Sequence, residues 1–148
     1  MFLAAAEGHA AVIDAMARVG APLGTAHAHG NTPAHAAVFS GQTAVLKALA
    51  RAGAPLGAPN KEGITPAHLA ALRGQEDVLE VLAVVGAPLG EADARGSTPA
   101  HSAASEGHAA ALEVLARAGA DLCSRCFSGG TPADAAAGGG PRAARGAL

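Results

Sequence analysis

The sequence is poor in the side chains from which compact cores and binding sites are most often built. Its 148 residues include no tryptophan, no tyrosine and only three phenylalanines, although 50% of them are hydrophobic. Much of that half is alanine, with leucine and valine, and these side chains fill thin, closely spaced layers better than one thick core. The composition therefore favours stacked helices over a single large globule.

A marked excess of charge is also missing. The 10 Lys and Arg residues stand against 12 Asp and Glu residues, so nothing indicates a basic surface for nucleic acid or for an anionic membrane. The two cysteines, Cys123 and Cys126, are too few for a disulfide framework, which indicates a reducing compartment.

No hydrophobic run is long enough to cross a bilayer. The longest, 78–89, is interrupted by Glu80 and contains Gly86 and Pro88, whereas a membrane helix needs about 20 apolar residues. The first residues lack a basic segment followed by a long apolar one, so the sequence predicts no signal peptide. We therefore expect a soluble intracellular protein, cytoplasmic or nuclear.

One four-residue motif occurs four times, and each copy begins 33 residues after the one before it. Thr-Pro-Ala-His begins at Thr32, Thr65 and Thr98, and the copy that begins at Thr131 ends in Asp134. Threonine is a good N-cap, and proline suits the first position of a helix. A unit of 33 residues with two short helices cannot bury its own apolar face. The sequence therefore predicts a solenoid of stacked units.

The repeat whose motif begins at Thr32 predicts its helices in most detail. A short helix should begin at Pro33 and run through Phe39, and Gly41 should follow it in the left-handed conformation. A second helix should span 43–52. Its buried stripe should be Val45, Leu46 and Leu49.

These repeated features resemble ankyrin repeats. The resemblance rests on the Thr-Pro-Ala-His phrase, the Gly-His or Gly-Gln step, the apolar second helix and the Gly-Ala-x-Leu exit, up to about Gly140. It implies an all-α repeat solenoid, with antiparallel helix pairs stacked side by side and β-hairpin-like fingers projecting at about a right angle. It also implies that His35, His68 and His101 are structural, each bonded to the adjacent threonine and backbone.

The repeat also predicts the domain organisation. We expect one ankyrin-repeat domain at 1–140, composed of a partial repeat 1–26, full repeats 27–59, 60–92 and 93–125, and a partial C-terminal repeat 126–140. Asp134 is typical of a terminal repeat of this family. Residues 141–148 have no amphipathic period, which predicts a disordered tail. The short first repeat is either a capping repeat or the start of a piece cut from a longer chain.

The repeats depart from the family at one core position. Alanine replaces the usual leucine of Thr-Pro-Leu-His at Ala34, Ala67 and Ala100. Replacing leucine by alanine in a fixed core costs about 2–5 kcal/mol. The penalties do not simply add, because the neighbours evolved with the alanines, but we expect a less stable array.

Two short motifs raise the possibility of metal or redox chemistry. His27-Ala28-His29 offers two imidazoles, fewer than the three or four protein ligands that zinc takes. Cys123 and Cys126 have CxxC spacing, but no second pair exists and they lie in a predicted finger rather than at a helix start. We interpret them as loop histidines and free thiols. With no nucleophile–base arrangement either, the sequence predicts no enzyme, no metal and no cofactor.

Positions that differ between repeats are free to contact a partner, and the resemblance implies that such contacts come from fingers and first helices. Large apolar side chains and arginine concentrate binding energy, although a single exposed apolar residue needs no explanation. Phe39 and Leu72 share one repeat position and should form a small patch. The candidate partner-binding residues are Phe39, Leu72, Arg73, Ile64, His29, Asn31, Lys61, Glu62, Arg95 and Glu106.

The resemblance thus implies a monomeric, non-catalytic scaffold or adaptor that binds another protein on its concave finger and first-helix face. An alternative is a fragment of a larger regulatory protein, in which the array targets an effector such as a kinase, a ubiquitin ligase or a channel. A metal or redox protein is a third hypothesis, carried only by the two short motifs.

Overall fold

The computed structural model describes residues 2–120 and residue 122. Cys123, Cys126, Asp134, the predicted partial C-terminal repeat and the predicted tail lie outside these residues. The described part contains helices and turns but no strand. Its helices are α1 (Phe2–Glu7), α2 (Ala10–Arg18), α3 (Pro33–Phe39), α4 (Thr43–Arg51), α5 (Pro66–Leu72), α6 (Glu76–Val84), α7 (Pro99–Glu106) and α8 (Ala109–Arg117).

The helices of each repeat begin and end where their terminal residues dictate. Thr65 is the N-cap of α5, and its hydroxyl accepts a hydrogen bond from the backbone amide of His68 at 3.4 Å. Pro66 follows at the first helical position, where its missing amide has no intrahelical partner to lose. The predicted α3 is confirmed, and α4 is one residue shorter than predicted because Ala52 is its C-cap.

Helices of one kind stack on helices of the same kind in the next repeat. The first helices α1, α3, α5 and α7 form one row, and the second helices α2, α4, α6 and α8 form another. Leucines of the second helices are fully buried between the rows, together with small side chains of the first helices such as Ala37 and Ala70. The all-α solenoid is therefore confirmed. No helix in the described part of the chain is long and apolar enough to span a membrane.

Between repeats the chain forms tight turns, which we call the first, second and third fingers (27–31, 60–64 and 93–97). In the second finger the amide of Asn60 donates to the carbonyl of Ile64 at 2.9 Å, and the amide of Lys61 donates to the carbonyl of His29 in the first finger at 3.2 Å. The third finger is joined to the second in the same way, since the amide of Ala94 donates to the carbonyl of Glu62 at 3.0 Å. At both of the described junctions, a backbone hydrogen bond thus holds neighbouring fingers side by side.

Candidate functional site

The histidine of the repeated phrase links one repeat to the next. Nδ1 of His35 accepts a hydrogen bond from the amide of Thr32 at 3.0 Å, and Nε2 donates to the carbonyl of Ile64 at 2.8 Å. His68 makes the same contacts with Thr65 at 3.1 Å and with the carbonyl of Ser97 at 2.8 Å. The predicted structural role of these side chains is confirmed.

Burial fixes the charge state of these histidines. Desolvation lowers the pKa of His35 and of His68 below the ordinary histidine value, although the hydrogen bonds to Ile64 and Ser97 act in the opposite direction. In this geometry Nδ1 accepts from an amide and carries no proton, while Nε2 faces a carbonyl that can only accept, so each imidazole is neutral with its proton on Nε2. Side chains buried this deeply, with both ring nitrogens engaged, offer nothing to a substrate.

The most prominent candidate contact surface lies at the C-terminal ends of α3 and α5. Phe39 is 60% exposed and Leu72 is 45% exposed, and the two occupy the same position in adjacent repeats. The guanidinium carbon of Arg73 lies 4.6 Å from the centroid of the Phe39 ring, in a cation–π contact. We call Phe39, Leu72 and Arg73 the contact face. Sequence comparison between repeats selected these residues but did not reveal that Arg73 stacks on Phe39.

The other candidate residues divide into two groups. The exposed group, at the finger turns and at the end of α7, is His29, Lys61, Glu62, Arg95 and Glu106. The second group, Asn31 and Ile64, is half-buried, and both residues also take part in hydrogen bonds between repeats. Oδ1 of Asn31 accepts a hydrogen bond from Nδ2 of Asn60 at 2.9 Å, and the backbone carbonyl of Ile64 accepts one from Nε2 of His35. Asn31 and Ile64 therefore present less side chain to a partner than their variation between repeats indicates.

Two residues that shape the fingers were not singled out from the sequence. Oδ1 of Asn60 accepts hydrogen bonds from the amides of Glu62 and Ile64 at 2.9 and 3.0 Å. Oδ1 of Asp93 does the same for Arg95 and Ser97, both at 2.9 Å. Asn or Asp three residues before a glycine is a common turn signal and could have identified both. These carboxamide and carboxylate groups position the exposed tips.

The histidine pair of the first finger is engaged locally. Nδ1 of His27 accepts a hydrogen bond from the amide of His29 at 3.0 Å, and the two rings meet edge to face with centroids 5.6 Å apart. Within residues 2–120 and 122, no group of three or more His, Cys, Asp or Glu side chains is arranged to hold a metal ion.

Comparison with known families agrees with this geometry. Residues 47–126 match the family model described as ankyrin repeats in three copies, and residues 29–61 match the model of a single ankyrin repeat. No curated protein sequence matches the chain.

Proposed function

Because the chain belongs to the ankyrin-repeat family, whose members generally mediate protein–protein interaction, we propose that it is a non-catalytic module that binds another protein through the contact face. The fingers, which precede the N-terminal ends of the same first helices, form the rim of the interface in this proposal. In this role the protein acts as a scaffold or adaptor.

The observation that carries this proposal is the stacking of Arg73 on the exposed ring of Phe39. Aromatic residues and arginine are the types that contribute most to binding energy in interfaces. A cation–π contact at an exposed site is worth about 0.5–1 kcal/mol, so the arginine loses little further freedom when a partner covers it. Leu72 occupies the same repeat position as Phe39 and adds apolar area.

The exposed finger residues support a peripheral role. Lys61, Glu62 and Arg95 carry charges of both signs on neighbouring turns, and solvated charges at an interface rim set orientation and association rate more than affinity. The central apolar and arginine contacts are therefore expected to dominate binding, and the fingers to select among partners.

Affinity capture from native extract, read by mass spectrometry, tests the proposal. The double variant Phe39→Ala, Leu72→Ala should lose the captured partner while keeping the helical circular dichroism spectrum, since both side chains are exposed. Arg73→Ala should weaken capture without abolishing it.

Val19→Ala is the matched control, because Val19 is an apolar residue even more exposed than Phe39 or Leu72, at the end of α2 and away from the contact face. Capture by this control should equal that of the wild type. A partner retained in full by the double variant would move the binding site elsewhere on the molecule.

A further inference from the structure

The outward side of the second helices carries ion pairs that join one repeat to the next. Arg51 of α4 contacts Asp14 of α2 at 3.1 Å, and Arg117 of α8 lies 3.8 Å from Glu80 of α6. Both pairs use the same two repeat positions, an acid in one repeat and an arginine in the next. In the four repeats the first position is Asp14, Lys47, Glu80 and Glu113, and the second is Arg18, Arg51, Val84 and Arg117.

At one junction, neither position has the residue type found in the two ion pairs, an acid in one repeat and an arginine in the next. Between α4 and α6 the pair would join residues 47 and 84, where the chain has Lys47 and Val84. Lys47 has no carboxylate partner within the described residues. Val84 is 87% exposed, more than any other large apolar side chain described. An acid and an arginine are thus replaced together, at the two positions that would have contacted each other.

A groove lies at this junction. Its volume is about 620 Å³, and it runs between α4 and α6. Lys47 and Arg51 line it from α4, while Asp77 and Glu80 line it from α6. Val81 and Val84 give it an apolar surface between these charges. The groove therefore has a basic wall, in which Arg51 is already paired with Asp14, an acidic wall, in which Glu80 lies near Arg117, and an apolar strip.

We propose that this groove is a second protein-binding site, which takes an amphipathic helix of a partner protein. The helix would place apolar side chains on Val81 and Val84, carboxylates on the flank facing Lys47, and lysine or arginine on the flank facing Asp77. This site shares no residue with the contact face, and its presence does not depend on the function proposed for that face.

The walls of the groove explain why the occupant is a helix. Both walls are α-helices, and between their first and last turns the backbone amides and carbonyls are bonded within the helix, so the walls offer no continuous edge of hydrogen-bonding groups to an extended peptide. A helix satisfies its own backbone groups and packs its side-chain ridges into the space between two others. The charges then select the occupant, since a like charge placed against either wall weakens binding.

Three synthetic helical peptides test the charge rule. All carry the same leucine stripe at i, i+4 and i+7 on an alanine-based helix and a fluorescein label. One has glutamate on one flank and lysine on the other, one has glutamate on both flanks, and one has lysine on both. By fluorescence anisotropy the mixed peptide should bind at least about tenfold more tightly than either of the others. Equal binding of all three would overturn the proposal.

Variants of the chain locate the site. Lys47→Glu with Val84→Arg recreates at this junction the pair that its neighbours have, and it should abolish binding of the mixed peptide while the helical spectrum is unchanged. Val19→Arg makes the same apolar-to-arginine change at a comparably exposed valine and should leave binding intact. Equal loss in both variants, or retained binding in the first, would refute the site.

Sedimentation velocity addresses self-association: a wild-type dimer that Val84→Arg dissociates would show that a second copy fills the groove, which overturns the partner-helix proposal.

Discussion

Nε2 of His35 donates its proton to the carbonyl of Ile64 across 2.8 Å, and this contact joins the first helix of one repeat to the finger of the next. Nδ1 of the same ring accepts from the amide of Thr32, so one side chain caps its own helix and holds the following turn. His68 repeats the arrangement with Ser97. The neutral imidazole with its proton on Nε2 is the only form that satisfies both contacts.

This geometry predicts that the protein loses stability in mild acid. The folded pKa of His35 and of His68 is lowered, chiefly by burial, from the usual value near 6.5. The unfolded chain therefore binds more protons than the folded one. The stabilisation is complete above about pH 6.5 and is lost as the pH falls toward the folded pKa values. Urea denaturation between pH 7.5 and 5.5 should show a falling free energy of unfolding.

A double variant separates the effect of these two histidines from that of the other histidines. His35→Gln with His68→Gln should be less stable at pH 7.5 but should have a weaker pH dependence, since glutamine does not titrate. A wild-type free energy of unfolding that stays constant or rises as the pH is lowered from 7 to 5.5 would contradict this account.

The helices could be predicted from the sequence because each boundary is set by residues that lie within it or beside it. Thr32 and Pro33 define the start of α3, and Gly41 follows its end, with no contribution from distant residues. The buried stripe of α4 could be predicted for the same reason, since Val45, Leu46 and Leu49 recur with helical spacing and all are buried.

Contacts between repeats could not be predicted in this way, because they depend on where neighbouring repeats place side chains. The stacking of Arg73 on Phe39 requires the ends of two helices to lie at a particular distance. The pairing of Arg51 with Asp14 likewise requires α2 and α4 to lie close enough for the two side chains to meet. Variation between repeats identified Asn31 as a candidate contact residue, but its bond to Asn60 became visible only in the structure.

The fingers should depend on the side chain of Asp93. Its Oδ1 accepts hydrogen bonds from the amides of Arg95 and Ser97, and the residue is only 7% exposed. Asp93→Ala leaves both amides without that acceptor and should lower the free energy of unfolding by about 1–3 kcal/mol. Asp93→Asn keeps an acceptor oxygen and should cost clearly less. Urea denaturation of the two variants measures the difference, and equal losses would rule out the turn role of Oδ1.

Two glycines with the same backbone conformation should differ in their tolerance of alanine. Gly53 and Gly63 have φ values of +75° and +79°, so alanine at either position costs about 1–2 kcal/mol for the left-handed conformation. At Gly53 an added Cβ meets nothing within 4 Å, whereas at Gly63 it would lie 2.7 Å from the amide nitrogen of Ala94. That amide donates the bond that joins the second and third fingers.

Gly63→Ala should therefore cost at least about 1 kcal/mol more than Gly53→Ala, the contribution of one backbone hydrogen bond. Thermal or urea denaturation of both variants checks the difference. Equal destabilisation would mean that the junction between these fingers contributes nothing to the stability of the array.

The alanine-rich first helices should limit the thermal stability of the whole array. Ala34, Ala67 and Ala100 are buried, with exposures of 2%, 1% and 1%, at positions where the family usually places leucine. Each fills its site with a single methyl group, so the apolar area removed from water at each is much smaller than a leucine would provide. Because each repeat contacts only its neighbours, every repeat has this smaller buried apolar area, and no single large core compensates for it.

We therefore expect a melting temperature that does not reach about 90 °C, the usual mark of a hyperstable protein. Circular dichroism at 222 nm measures it directly. Two variants of α6 serve as references. Leu79 is fully buried, so Leu79→Ala should lower the free energy of unfolding by about 2–5 kcal/mol. Val84 is exposed on the same helix, so Val84→Ala should change the melting temperature little. A wild-type melting temperature well above 90 °C would show that the neighbouring side chains fully compensate for the alanines.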